Sequence, residues 1–191
     1  MPKKTTFCLI LVFTLLFVSP SDIQAIANAT SSGSAGLKLG QNREEFKQKI
    51  QAIKDEKKKA LATKLEEQLN NLNDKATQVM ASQLEKLGNF LTRIEEKAKT
   101  MESAGKPVAQ VLTQIATLRS NITQLQTKLN DQKEKQYTPT VTAENTLRIQ
   151  FSEVKTTLHK DIQVLRMELV KIRLDLIDII KSLQTINGVS K

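Results

Sequence analysis

Side chains that ordinarily do chemistry are scarce in this chain of 191 residues, which has one histidine, His159, and one cysteine, Cys8. A lone histidine excludes a multi-histidine metal site. Asp161 follows two positions after His159, but neighbours two apart on a helix do not face each other, so the pair forms no relay. Glu66–Glu67 and Glu95–Glu96 are adjacent in sequence, whereas glycoside hydrolysis needs carboxyl groups opposed across a cleft. The chain contains no G-x-G-x-x-G, P-loop or G-x-S-x-G pattern. We therefore expect no catalytic residue, no cofactor and no bound metal, and no enzymatic activity.

Charge offers a second kind of chemistry. Lys47, Lys49, Lys54, Lys57, Lys58, Lys59 and Lys64 cluster against only Asp55 and Glu56. Such a run suits a polyanion, whether nucleic acid, a cell-wall polymer or an acidic lipid surface. It equally suits a solvated helix face with i,i+4 pairs such as Glu45–Lys49. The segment has neither the aromatic platforms of single-strand binders nor the arginines that read duplex bases. Asn28-Ala29-Thr30 and Asn121-Ile122-Thr123 match the N-glycosylation pattern, which only a eukaryotic secretory route would use.

The composition points to helices. Aromatics make up 4% of the chain and Trp is absent; there are six Gly and four Pro, and three of the six Phe lie in the first eighteen residues. A β-sandwich or doubly wound α/β core draws on more aromatics, turn residues and β-branched runs.

The N-terminus reads as an address. Lys3 and Lys4 precede FCLILVFTLLFV, and two overlapping small-residue sites follow, at Ala25 and Ala27 and at Ala27 and Ala29. This order describes a secretory signal peptide over residues 1–27, cut after Ala27. The twelve-residue run falls short of the ~20 apolar residues of a membrane-spanning helix. Cys8 sits inside the leader, so the processed chain would have no thiol and no disulfide. Losing Lys3, Lys4 and Asp22 takes 29 basic and 20 acidic residues to 27 and 19, a net charge of +8.

Residues 28–41 include TSSGSAGLKLG and read as a flexible Ser/Gly linker. A helical domain over residues 42–187 follows, opened by Asn42 and Glu45 in a capping-box pattern. Its first apolar stripe runs Phe46, Ile50, Ile53, Leu61, Leu65, Leu69, Leu72, Ala76, Met80, Leu84, Leu87, Leu91, Ile94, Ala98 and Met101. The second runs Val111, Ile115, Leu118, Ile122, Leu125 and Leu129, after the punctuation Ala104-Gly105-Lys106-Pro107. The third runs Leu147, Phe151, Val154, Leu158, Ile162, Leu165, Leu169, Ile172, Leu176, Ile179 and Leu183, after a break around Pro139 with Thr142 as cap. Steps of three and four put each stripe on one helix face. The expected helices span residues 42–103, 107–135 and 142–187, in an all-α, elongated, coiled-coil-like hairpin or three-helix bundle.

Their unequal lengths, about 90, 40 and 65 Å, leave residues 42–75 without a partner if the first helix is straight. A hinge at Asn70-Asn71-Leu72-Asn73-Asp74 would make a four-segment bundle, although the stripe continuing through it favours an unbroken helix. The third helix carries a second apolar row, Val164, Met167, Val170, Leu174 and Ile177. Such a helix is either central, covered on two sides, or a surface for self-association or another protein chain.

The leader ending AIANA, the LEKLGNFLTRIEEKA stripe and the ESAGKPVAQV turn resemble exported bacterial proteins built from a signal peptide plus Lys/Glu/Leu-rich helices. The resemblance brings no activity and no site residue. It implies a secreted, periplasmic or cell-surface protein, without a membrane span once the leader is cut. The expected role is a structural or interaction protein working through helix–helix packing, with polyanion binding by the lysine cluster as the alternative.

Overall fold

The computed structural model describes residues 42–188. The expected signal peptide with its cleavage residues Ala25 and Ala27, Cys8, and the linker at 28–41 lie outside them. Four helices follow in order: α1 (Asn42–Gln51), α2 (Glu56–Ser103), α3 (Ala109–Glu134) and α4 (Leu147–Gly188), the last preceded by a 3-10 turn at Glu144–Thr146. α2, α3 and α4 pack on one another as an all-α bundle.

The turn between α2 and α3 follows from its residues. Lys106 N–H donates to the Met101 carbonyl at 3.0 Å and Gly105 N–H to the Glu102 carbonyl at 2.8 Å, the paired bonds of a Schellman motif. Gly105 sits at φ 74°, where a side chain would be strained. Pro107 precedes α3 rather than opening it, and the buried Val108 seals the turn.

Two apolar cores line the bundle. One, built on Leu84, Leu91, Leu118, Leu125, Leu169 and Leu176, joins α2, α3 and α4. The other joins α1, the start of α2, the α3–α4 connection and the start of α4 through Phe46, Ile50, Leu69, Tyr137, Phe151 and Leu158. Each fully buried Leu contributes roughly 1.5–3 kcal/mol relative to exposure. The second and third stripes are buried as their spacing requires, with Ile122, Val154 and Ile162 partly covered.

The first stripe needs two corrections. The helix expected over 42–103 breaks at residues 52–55, not at 70–74, where α2 runs unbroken. Asp55 caps α2 by accepting from Lys57 N–H at 2.9 Å and Lys58 N–H at 3.3 Å. This break lets α1 fold back along α2 and occupy the level that α3 is too short to reach. The second correction concerns which residues face inward. Leu61 and Leu72 are exposed, and the buried face over residues 62–77 keeps Leu69 but otherwise uses Ala62, Glu66, Asn73 and Thr77. The helix has rotated its polar residues inward because the end of α3 needs hydrogen-bond partners there. α4 also begins later than residue 142: Thr142 receives a bond from Gln150 at 2.8 Å ahead of the 3-10 turn.

Candidate functional site

Inside the bundle, between the two cores, lies a polar layer that the apolar periodicity did not reveal. α3 ends at Glu134, and its last turn is closed by the Lys135 N–H donating to the Gln132 carbonyl at 3.2 Å. Asn73 adds to this cap: its Nδ2 donates to the Gln132 carbonyl at 2.9 Å and to the Lys135 carbonyl at 3.2 Å. Gln132 Nε2 donates to Asn73 Oδ1 at 2.8 Å and to the Tyr137 hydroxyl at 2.6 Å. That hydroxyl donates to Asp161 Oδ2 at 2.6 Å, which also accepts from Lys135 Nζ at 3.1 Å. Burial, and then the bond to the Asp161 carboxylate, push the Tyr137 phenol well above its usual range.

Two turns back along α2 from Asn73, Glu66 is buried with its Oε1 accepting from Asn70 Nδ2 at 2.9 Å and Thr138 Oγ1 at 3.1 Å, and pairing with Arg43 Nε at 3.3 Å. Asn70 Oδ1 in turn accepts the Tyr137 backbone N–H at 2.8 Å. Buried polar groups of this density are tolerated only when satisfied. Here they dock the extended α3–α4 connection onto α2. The layer is structural: every member is engaged with another, and only Glu66 and its partner Arg43 border an open cleft, the one between α1 and α2.

The chemistry-bearing residues do not converge. His159 is exposed on α4, while Asp161 belongs to the tyrosine network. Among the described residues no group of three His, Cys, Asp or Glu is placed to hold a metal ion. A shallow groove of about 290 Å³ between α3 and α4 is lined by Thr113, Gln114, Thr117, Asn121, Asp175 and Asp178, among others. Asp178 is paired there with Lys181 at 3.0 Å.

The lysine cluster is divided by the fold. Lys47 and Lys49 lie on α1, Lys54 in the break, and Lys57, Lys58, Lys59 and Lys64 on α2. Four of the seven meet carboxylates: Lys47–Glu44 at 3.3 Å, Lys49–Glu45 at 3.9 Å, Lys58–Glu144 at 2.6 Å and Lys59–Glu56 at 3.7 Å. The hydrogen bond to Glu144 holds the Lys58 ammonium above the usual lysine range.

The second apolar row on α4 is open to solvent. Val164, Met167, Val170, Leu174 and Ile177 retain between 38% and 56% of their surface. The helix is not central, because its neighbours cover only the Leu165–Leu169–Ile172–Leu176–Ile179 side. The row extends over about 20 Å at 1.5 Å per residue. Charges of both signs flank it: Arg166, Lys171 and Lys181 with Glu168, Asp175 and Asp178. Leu61, Leu72, Val79 and Phe90 form a second exposed series, on α2. Their spacings of 11, 7 and 11 return each to within about 20° of one direction, so they form a single sparse line.

No helix among the described residues is long and apolar enough to cross a membrane. Neither protein-family models, nor curated proteins, nor solved structures match this chain.

Proposed function

We propose that this is an exported, non-enzymatic helical interaction protein of the cell envelope, and that it associates through the outer face of α4. The observation that supports this reading is the row Val164, Met167, Val170, Leu174 and Ile177, left exposed beside the α4 stripe that the bundle buries. Five large apolar side chains in one row exceed the scattered exposure normal for a soluble surface. The signal peptide read from residues 1–27 supplies the address, and the mixed charge beside the row favours a protein helix over a lipid surface.

Sedimentation of the wild-type chain at two concentrations tests the reading. Its mass rises with concentration, and a Met167→Glu/Leu174→Glu variant of unchanged helicity loses that rise. A wild type and a variant with the same concentration dependence would remove the α4 row from the proposal. The polyanion alternative rests on Lys54, Lys57 and Lys64, which form no ion pair with the described carboxylates. It predicts heparin retention that falls steeply with salt.

A further inference from the structure

α3 runs antiparallel to both of its neighbours. Asn73 and Glu95 of α2 meet Gln132 and Arg119, while Asp161 and Glu168 of α4 meet Lys135 and Lys128. α2 and α4 are therefore parallel, with α3 on one side of the pair. α1 packs on that same side of α2, along Lys59, Thr63, Glu66 and Glu67.

The other side carries a pattern of charge that runs through both helices. Lys57, Lys64, Lys75, Lys86, Arg93 and Lys97 recur on α2 at steps of 7, 11, 11, 7 and 4. At 100° per residue they fall within about 60° of one another, and about 140° or more from Glu95. Arg148, Lys155, Arg166 and Arg173 recur on α4 at steps of 7, 11 and 7. They fall within about 20° of one another, and again about 140° or more from Glu168. Going round α2 from Glu95, the buried stripe comes next and then the basic line; round α4 from Glu168 the same order runs in the opposite sense. In parallel helices, opposite senses set both basic lines on one face, along the α2–α4 seam and away from α1 and α3. No Asp or Glu of either helix falls in these arcs. The six α2 cations are exposed and form no ion pair with the described carboxylates. Leu61, Leu72, Val79 and Phe90 stand among them, exposed in the same arc. From Lys57 to Lys97 the face is about 60 Å long.

We propose that this face docks the bundle flat on an anionic lipid bilayer, with the cations at the phosphate head groups and Leu61, Leu72, Val79 and Phe90 entering the interface between them. Charge and shape select this partner. Cations that point one way from two parallel helices reach a plane together, and apolar side chains set among them gain by leaving water. A polyanionic strand needs only one line of charge and offers those four side chains no apolar contact. The face is separate from the outer α4 row.

The test uses the full chain with Cys8→Ser and one new cysteine, Val79→Cys on the face or Thr117→Cys on α3, labelled with an environment-sensitive fluorophore. Vesicles of phosphatidylglycerol and phosphatidylcholine in equal parts shift the Val79 probe to the blue, and phosphatidylcholine alone does not. The Thr117 probe stays as in water with both. Reading the two positions separates this face from any other part of the chain that meets lipid. Lys75→Gln, Lys86→Gln and Arg93→Gln together raise the lipid concentration at half-effect about a hundred-fold, from about five-fold for each charge. Lys47→Gln, Lys99→Gln and Lys133→Gln remove the same charge elsewhere and leave it nearly unchanged. An unshifted Val79 probe on the anionic vesicles overturns the proposal, as do equal shifts at Val79 and Thr117, equal shifts on both kinds of vesicle, or equal losses in the two triple variants. Heparin retention lost in the first triple variant, with no shift at Val79 on vesicles, makes the face a polymer site and overturns the lipid assignment as well.

Discussion

Asn73 and Gln132, 59 residues apart, hold each other in a closed exchange: the Asn73 amide donates to the Gln132 main-chain carbonyl at 2.9 Å, and the Gln132 amide donates back to Asn73 Oδ1 at 2.8 Å. The pair fixes the register of α2 against the end of α3 at a level where a purely apolar seam would let the helices slide by a heptad. A one-heptad slip would break both bonds and strand the Lys135 carbonyl as well.

Removing one partner should cost more than its share. Asn73→Ala takes a donor from the Gln132 and Lys135 carbonyls and one acceptor from the Gln132 amide, which keeps the Tyr137 hydroxyl, an expected loss of about 1–3 kcal/mol. Asn73→Leu combined with Gln132→Leu should lose less than the sum of the two single changes, with a coupling of roughly 1 kcal/mol or more. Urea unfolding of the four proteins measures it. Strict additivity would mean that the exchange carries no energy of its own.

Tyr137 makes the alkaline limb of stability readable by absorbance, because it is the only tyrosine and Trp is absent. Its phenol has a raised folded pKa through burial and the Asp161 carboxylate, against an ordinary value of 10.0. Above pH 10 the unfolded chain gives up this proton while the native chain keeps it. Stability is therefore full below that pH and declines as pH rises further. The tyrosinate band near its usual ultraviolet position should appear together with loss of helicity. Ionisation at pH 10 in a fully helical protein would contradict the buried hydroxyl. Tyr137→Phe should lower stability by about 1–2 kcal/mol, since Gln132 then loses an acceptor.

Leu174 and Leu176 are two positions apart on α4 with opposite surroundings, 55% against 4% exposed. Leu176→Ala should cost about 3 kcal/mol, within the range for leucines truncated in a core. Leu174→Gln should change stability by no more than about 0.5 kcal/mol. Thermal unfolding at a concentration where the chain is monomeric separates them. Equal costs would place Leu174 in a buried seam.

Much of the bundle was legible because helical periodicity reports one-sided burial directly. The α3 and α4 stripes are the clearest case, and the Gly105–Pro107 turn was marked by residues that act locally. The break at residues 52–55 carried no such mark. Its one signal is Asp55, a cap worth about 1 kcal/mol, which decides the geometry only when a groove waits for α1. The polar layer was illegible for a related reason. Glu66, Asn73 and Thr77 look like solvent residues until the carbonyl end of α3 and the Tyr137–Thr138 segment arrive from 60–70 positions away. Helical spacing alone therefore places Leu61 and Leu72 in the seam, whereas the fold exposes them.

At the candidate surface, the second row on α4 was visible as an excess of apolar circumference. Whether it was covered depended on how many helices stand at that level. Only the fold shows that α1 supplies the extra segment at the opposite end, leaving Met167 to Ile177 bare.

The edge-to-face meeting of Phe46 with Phe151 joins chain positions more than 100 residues apart. Made from its N-terminus at ~5–20 residues per second, a polypeptide of this design waits roughly 5–20 s between producing the first ring and the second. For that interval α1 has no finished berth, and Phe46, Ile50 and Ile53 stay open to whatever helix is nearest. The later-made α4 thus decides when the earlier-made α1 can fold.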